Sequence, residues 1–143
     1  MGASLRCKEP RSTVIKTKSV YTPIYRKGDG IRILITRFRG RGLRKNRYDV
    51  WMPSLGPSER LLRDYHAQKL TWATFGRRYR HELFSESSVD KSNRTIKNHG
   101  QKFTLRLLQA LAKRGNITLM CHCDEDESNC HRHLLKQLLI SKI

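Results

Sequence analysis

The sequence predicts an α/β protein with a small, mostly parallel sheet flanked by helices. Short runs of β-branched residues alternate along the chain with longer segments of helical periodicity, which is typical of this class. A length of 143 residues suits one compact domain, and 37% hydrophobic residues suffice for one modest core. Residues 1–12 are small, polar and basic, so we expect a basic N-terminal arm followed by a single domain at residues 13–143.

Three runs are expected to form the strands of this sheet. Residues 14–21 alternate in polarity and are rich in β-branched side chains, and residues 31–36 are apolar enough to lie inside a sheet. Residues 116–121 form the third run, and Pro23 ends the first. The intervening sequence contains glycine or proline and predicts turns or loops at residues 27–30, 37–42 and 51–57.

The helices are predicted from capping residues and from apolar side chains spaced three or four apart. Ser58 is the expected cap of a helix at residues 59–67, and Thr71 is the expected cap of the next one. Further helices are expected near residues 88–97, from Phe103 or Thr104 to Arg114, and after a cap at Asn129. In the helix after Thr71, the large side chains that share one face are predicted to pack in the core: Trp72, Phe75, Tyr79 and Leu83.

The chain is strongly basic. Lysine and arginine outnumber aspartate and glutamate by 30 to 12, which gives a formal net charge of +18, and the excess is concentrated in the first fifty residues. Such a surface repels itself and is stabilised beside phosphates. We therefore expect a nucleic-acid partner, RNA rather than DNA, within a ribonucleoprotein particle such as the ribosome.

Hydropathy and the absence of certain motifs argue against a membrane protein, a secreted protein and two classes of nucleotide-binding protein. Mean hydropathy is -0.67, and no apolar run approaches the roughly 18 residues that a membrane-spanning helix needs. The first residues lack the apolar core of a secretion signal, so we expect a cytoplasmic protein. The chain also lacks a P-loop and a dinucleotide-binding fingerprint.

A basic segment follows the second predicted strand. Residues 37–47 contain six cations and two glycines, which let the backbone approach a bound group closely. Charges on an exposed edge strand also prevent association between sheets, but that purpose needs fewer cations. Because guanidinium groups bind phosphate through two parallel hydrogen bonds, the segment predicts phosphate contacts by Arg37, Arg39, Arg41, Arg44, Lys45 and Arg47.

Three cysteines and three histidines lie within residues 121–133, between the third strand and the last helix. Open α/β sheets usually place their ligand sites at such a junction. One interpretation is a structural zinc site. Its ligands would be Cys121, Cys123, Cys130 and either His131 or His133.

Two other interpretations of this cluster remain open. In one, Cys121 or Cys130 is a catalytic thiolate and His131 is its base. The start of the last helix would then lower the pKa of Cys130, because the helix dipole favours a negative charge there. In the other, Cys121 is a small core residue and the histidines face solvent. Spacing does not separate the three interpretations.

The order and spacing of several stretches carry a family resemblance: residues 20–23, 29–37, 41–43, 51, 55–58 with 61, 72–75, 79–83, 117–121 and 130–132. Together they resemble the family called domain of unknown function 488, and specifically its cysteine-bearing branch. The resemblance implies a small cytosolic α/β protein without an agreed activity. It also implies that the shared motifs include Arg37, Arg41, Tyr79 and Glu82.

Three hypotheses about function follow from these observations. The first is a basic protein that binds nucleic acid and holds zinc in its cysteine–histidine cluster. The alternative is an enzyme that modifies a nucleic acid or a nucleotide at that cluster. A regulator that senses redox state or metal through the same residues is a third possibility.

Overall fold

The computed structural model describes residues 14–85 and 100–141. Within these ranges the chain forms a four-stranded parallel sheet flanked by five α-helices, which confirms the predicted α/β class. The expected arm at residues 1–12 and the expected helix near residues 88–97 lie outside the described residues.

The four strands run in the same direction, in the order β1-β4-β2-β3. They are β1 (Ile15–Ser19), β2 (Ile31–Leu34), β3 (Val50–Trp51) and β4 (Ile117–Cys121). β4 lies between β1 and β2, and its register pairs Cys121 with Ser19 and Met120 with Leu34. The carboxyl ends of these three strands therefore meet at one edge of the sheet.

The helices are α1 (Arg26–Asp29), α2 (Glu59–His66), α3 (Trp72–Phe84), α4 (Lys102–Arg114) and α5 (His131–Ile140). The caps at Ser58 and Thr71 are confirmed, since their hydroxyl groups accept the backbone N–H of Leu61 and Thr74. None of the described helices is both long enough and apolar enough to span a bilayer.

Three local predictions are wrong. The segment at residues 27–30 contributes to the single turn of α1, and Trp51 belongs to β3, which adds a short edge strand beside β2. The cap of α5 is Cys130 and not Asn129. Asn129 instead donates its backbone N–H to the carboxylate of Glu127, while the buried thiol of Cys130 makes no capping bond. Helix α5 therefore begins without a side-chain cap, at a residue whose thiol is packed in the interior.

The sheet separates two hydrophobic clusters. Side chains alternate between faces along β4, so Leu119 joins the larger cluster with the helices, and Met120 joins a smaller one with Leu34 and Leu43. The predicted core positions in α3 are buried at Phe75, Tyr79 and Leu83. Trp72 is only partly buried and packs at the margin of the larger cluster.

Candidate metal centre and adjoining cavity

Three cysteines meet at the carboxyl end of β4. Cys121 is the last residue of that strand, Cys123 lies in the following loop, and Cys130 immediately precedes α5. Their Sγ atoms all lie within 4.8 Å of one another, and those of Cys121 and Cys130 are 2.9 Å apart. Three thiols so close together could hold a metal ion.

The histidines of the cluster face different groups. Nε2 of His131 lies 2.8 Å from the carbonyl oxygen of Ile35 and must carry the proton, because a carbonyl oxygen only accepts. Burial lowers the pKa of His131 to about 4, so the ring is neutral and its Nδ1 carries no proton. This Nδ1 lies 3.9 Å from Sγ of Cys130, outside the group of mutually close ligand atoms. Both ring nitrogens of His133 contact other groups, namely the carbonyl of Glu127 and the hydroxyl of Thr17. A role for His131 as ligand or base stays a prediction.

Arg132 lies against the cysteines and is 1% exposed. Its Nη1 donates to Sγ of Cys121 over 2.8 Å, and its Nη2 donates to the backbone carbonyls of Asp124 and Glu125. Within the described part of the chain, none of its hydrogen bonds goes to a carboxylate. A buried cation needs a compensating negative charge, so Arg132 favours a thiolate in the cluster.

The three thiols differ in acidity because they share one site. Hydrogen bonds from Cys121 and Cys130 lower the pKa of Cys123 well below its usual range, and Arg132 acts in the same direction. The donated bonds raise the pKa of Cys121 and of Cys130. Hydrogen bonds with the neighbouring thiols favour the protonated form of Cys130, which opposes the lowering of its pKa that the helix dipole predicts.

A cavity of about 190 Å³ opens beside these thiols. All three cysteines line it, and its aromatic wall comes from Tyr65 of α2 and from Trp72 and Phe75 of α3. The rings of Trp72 and Phe75 are stacked, with centroids 5.1 Å apart and planes inclined by 14°. The sequence shows the spacing of these rings, but only the structure shows that they line a cavity together with the three cysteines.

The basic segment divides into buried and exposed residues. Arg37 is 1% exposed and lines the cavity. Arg39 donates to the hydroxyl of Tyr48 and the carbonyl of Leu43, and Arg47 donates to the carbonyls of Val20 and Thr22. These three side chains therefore have roles within the fold. The exposed members of the predicted set are Arg41, Arg44 and Lys45.

Tyr79 and Glu82, which the family resemblance singles out, connect α3 to neighbouring parts of the site. The hydroxyl of Tyr79 donates to the carbonyl of Leu55, and its ring meets that of His131 edge to face at 5.7 Å. The buried carboxylate of Glu82 accepts the backbone N–H and the hydroxyl of Ser58. Both contacts fasten α3 to the segment that precedes α2, and so position the aromatic wall.

Comparison with known proteins places the chain in a family. The family described as "Active DUF488-N3 subclade" matches residues 15–142. A protein of Escherichia coli strain K12, described as "Uncharacterized protein YeaO", is 37% identical over 79 residues, which cover 54% of this chain and 68% of that relative. No solved structure matches the chain. The resemblance to domain of unknown function 488 is therefore confirmed, and this chain belongs to the DUF488 family.

Proposed function

We propose that this protein binds nucleic acid, RNA in preference to DNA, through exposed cations on the segment and the helix that adjoin the cavity. The observation that carries the proposal is a set of exposed cations without a carboxylate partner among the described residues: Arg41, Arg44, Lys45, Arg77, Arg78 and Arg80. A net charge of +18 adds a long-range attraction to any polyanion.

Helix α3 contributes three of these cations. Its inner face buries Phe75 and Tyr79, so its arginines are directed to solvent. Arg77 and Arg78 line a shallow depression together with His81. Guanidinium groups that surround a depression suit a phosphate, because each can donate two parallel hydrogen bonds to its oxygens.

The preference for RNA depends on the aromatic wall of the cavity. Folded RNA presents unpaired bases in loops and bulges, and proteins that recognise such bases commonly stack them on aromatic rings. Association with a ribonucleoprotein particle is part of the same proposal, as is a cytoplasmic location, where thiols stay reduced. Co-sedimentation with ribosomal particles in a sucrose gradient, lost on raising the salt concentration, tests that association.

We further propose that the metal is zinc. Thiolates are soft ligands that favour zinc among the common divalent ions. Three thiolates around Zn²⁺ give a net charge of -1, and the buried guanidinium of Arg132 compensates it at 2.8 Å from Cys121. The test is the metal content of freshly purified protein. We expect about one zinc per chain, lost in Cys123→Ser and in Cys130→Ser, while a full zinc complement in both variants contradicts the proposal.

Binding is tested by titrating single-stranded RNA and DNA of one sequence at several salt concentrations. The double variant Arg77→Gln/Arg78→Gln should reduce the slope of log K against log salt by about 1.4, which corresponds to two phosphate contacts on a single strand. The matched control is Lys113→Gln/Arg114→Gln, which removes two exposed charges at the end of α4 that precedes β4, at the opposite edge of the sheet. Equal losses in both double variants, or tighter binding of DNA than RNA, contradict the proposal.

One observation favours an enzyme as the second candidate. The low-pKa thiol of Cys123 lines a cavity and lies beside a buried arginine, an environment typical of reactive cysteines. The test is alkylation of metal-free protein by iodoacetamide, followed by peptide mapping. Rapid modification of Cys123 below pH 7 favours thiol chemistry, whereas ordinary alkylation kinetics, with zinc present in the protein as purified, favour a metal centre.

A further inference from the structure

We propose that the cavity beside the cysteines receives one unpaired nucleobase of the bound nucleic acid, stacked against Trp72. The inference rests on the proposed function and deepens it, because it names the chemical group that enters this site. Four features of the described residues carry it: the size of the cavity, its aromatic lining, an exposed ring that contributes to the lining, and the cations on the adjoining chain segments.

The size of the cavity suits one ring system. Its volume is about 190 Å³, whereas pockets for drug-sized ligands span roughly 300–1,000 Å³. A complete nucleotide, with its sugar and phosphate, is larger than a single ring system and carries charge that this mostly apolar space would desolvate. The fitting occupant is therefore the planar base, with the sugar and phosphate outside.

The lining provides surfaces for stacking. Trp72 and Phe75 are nearly parallel, and Tyr65 lies 4.9 Å from Phe75 between ring centroids. Phe75 is buried in the core, but Trp72 is only partly buried. Phe38 is 54% exposed and also lines the cavity. Because Phe38 and Trp72 border the same cavity, their exposed surfaces offer a place where a base can stack.

The adjoining segments place cations within reach of a nucleotide whose base enters the cavity. Arg77 follows Trp72 by five residues on α3, which is about 7.5 Å along the helix axis and about 140° around it, so Arg77 lies on a different face of the helix. On a second segment, Gly40 packs so tightly against His122 that a Cβ would lie 2.9 Å from its ring. This contact holds the exposed Arg41 next to a residue that lines the cavity. A phosphate next to the base would thus meet Arg41, and the arginines of α3 would contact the strand farther along.

The experiment compares two single-stranded RNA ligands of equal length and charge. In one ligand every base is adenine except the central one, which is 2-aminopurine and serves as a fluorescent reporter. The other ligand carries a stable abasic sugar at every position. We expect Phe38→Leu and Trp72→Leu to weaken binding of the base-bearing strand about tenfold, in line with the loss of one stacked base. Both variants should bind the abasic strand as the unaltered protein does, and the 2-aminopurine response should be lost.

The control is Phe103→Leu, which removes a 74% exposed ring on α4 outside the cavity lining. Affinity for the abasic strand should fall with salt in every variant, because the phosphate contacts remain. Equal weakening of both strands by Phe38→Leu, or an unchanged 2-aminopurine response, would overturn the base site and leave nucleic-acid binding intact. No binding of either strand at low salt would overturn the proposed function itself. Because Phe38 is largely exposed, its replacement tests the site even if Trp72→Leu fails to fold.

Discussion

Arg132 donates a hydrogen bond to Sγ of Cys121 over 2.8 Å, and each of these side chains is only 1% exposed. The same guanidinium binds the carbonyls of Cys123, Asp124 and Glu125, so it organises the loop that carries the second thiol of the cluster. Arg132 therefore contributes both to the charge balance of the thiols and to the conformation of the loop that surrounds them.

Arg132→Met should lower the free energy of unfolding by about 2–4 kcal/mol, since methionine fills the space but leaves the loop carbonyls without donors. In metal-free protein, the lost positive charge should also slow alkylation of Cys123 near pH 6. Urea denaturation and timed alkylation measure the two effects. Arg80→Met, at an exposed position on α3, is the control and should change neither. A variant as stable as the parent would show that the guanidinium does not support the loop.

Ser58→Ala should destabilise the protein more than the removal of an ordinary helix cap. Its hydroxyl accepts from Leu61 and donates to the buried carboxylate of Glu82 over 2.8 Å, so the substitution removes a cap and leaves a buried charge with fewer donors. We expect a loss of about 2–3 kcal/mol. Thr71→Ala removes only an exposed cap and should cost about 1 kcal/mol. Equal losses in thermal or urea unfolding would contradict the role assigned to Glu82.

Gly56→Ala should disrupt the packing of the segment before α2 against the end of β2. A Cβ at Gly56 would lie 2.4 Å from the backbone nitrogen of Arg37, and neither backbone segment can yield easily. We expect a loss of about 3 kcal/mol, measured by urea denaturation. Gly115→Ala is the matched control, because nothing lies within 4 Å of its Cβ position. Similar stabilities for the two variants would contradict the close approach.

Asp29 should make stability depend on pH in the acid range. Burial raises the pKa of its carboxyl, but hydrogen bonds from the backbone of Tyr25 and from Lys18 outweigh burial and lower it below 3.8. Because the folded state favours the carboxylate, this contribution is present above the unfolded-state pKa of about 3.9 and is lost as the pH falls through the lower folded-state value.

Asp29→Asn should therefore lower the free energy of unfolding by about 1–3 kcal/mol at pH 7, because the largely buried ammonium of Lys18 loses its counter-ion. The difference from the parent should shrink between about pH 5 and pH 2. Asp64→Asn, which affects the exposed ion pair with Arg60, should change stability by less than about 0.5 kcal/mol at any pH. A difference that stays constant with pH would contradict the lowered pKa of Asp29.

Local chemistry determined most of the secondary structure. Ser58 and Thr71 cap their helices because a hydroxyl that precedes a helix satisfies a backbone N–H regardless of what packs nearby. The strand at Ile117–Cys121 follows from its apolar, β-branched run, and a parallel sheet follows from alternating strands and helices. The two residues of β3 and the single turn of α1 escape such reasoning, since neither is long enough to show a period.

The sequence alone also indicated that Cys121, Cys123 and Cys130 can converge, because a strand end, its loop and the next helix start are close in a parallel sheet, and the structure places their Sγ atoms together. Only the tertiary structure decided which thiol is acidic, which of the arginines from Arg37 to Arg47 are buried, and that Trp72 borders a cavity. Each of these depends on groups brought from distant parts of the chain. The pKa and the exposure of a side chain depend on the groups that surround it in space. Hydrophobic periodicity shows only that one face of a helix is buried, and not which groups pack against it.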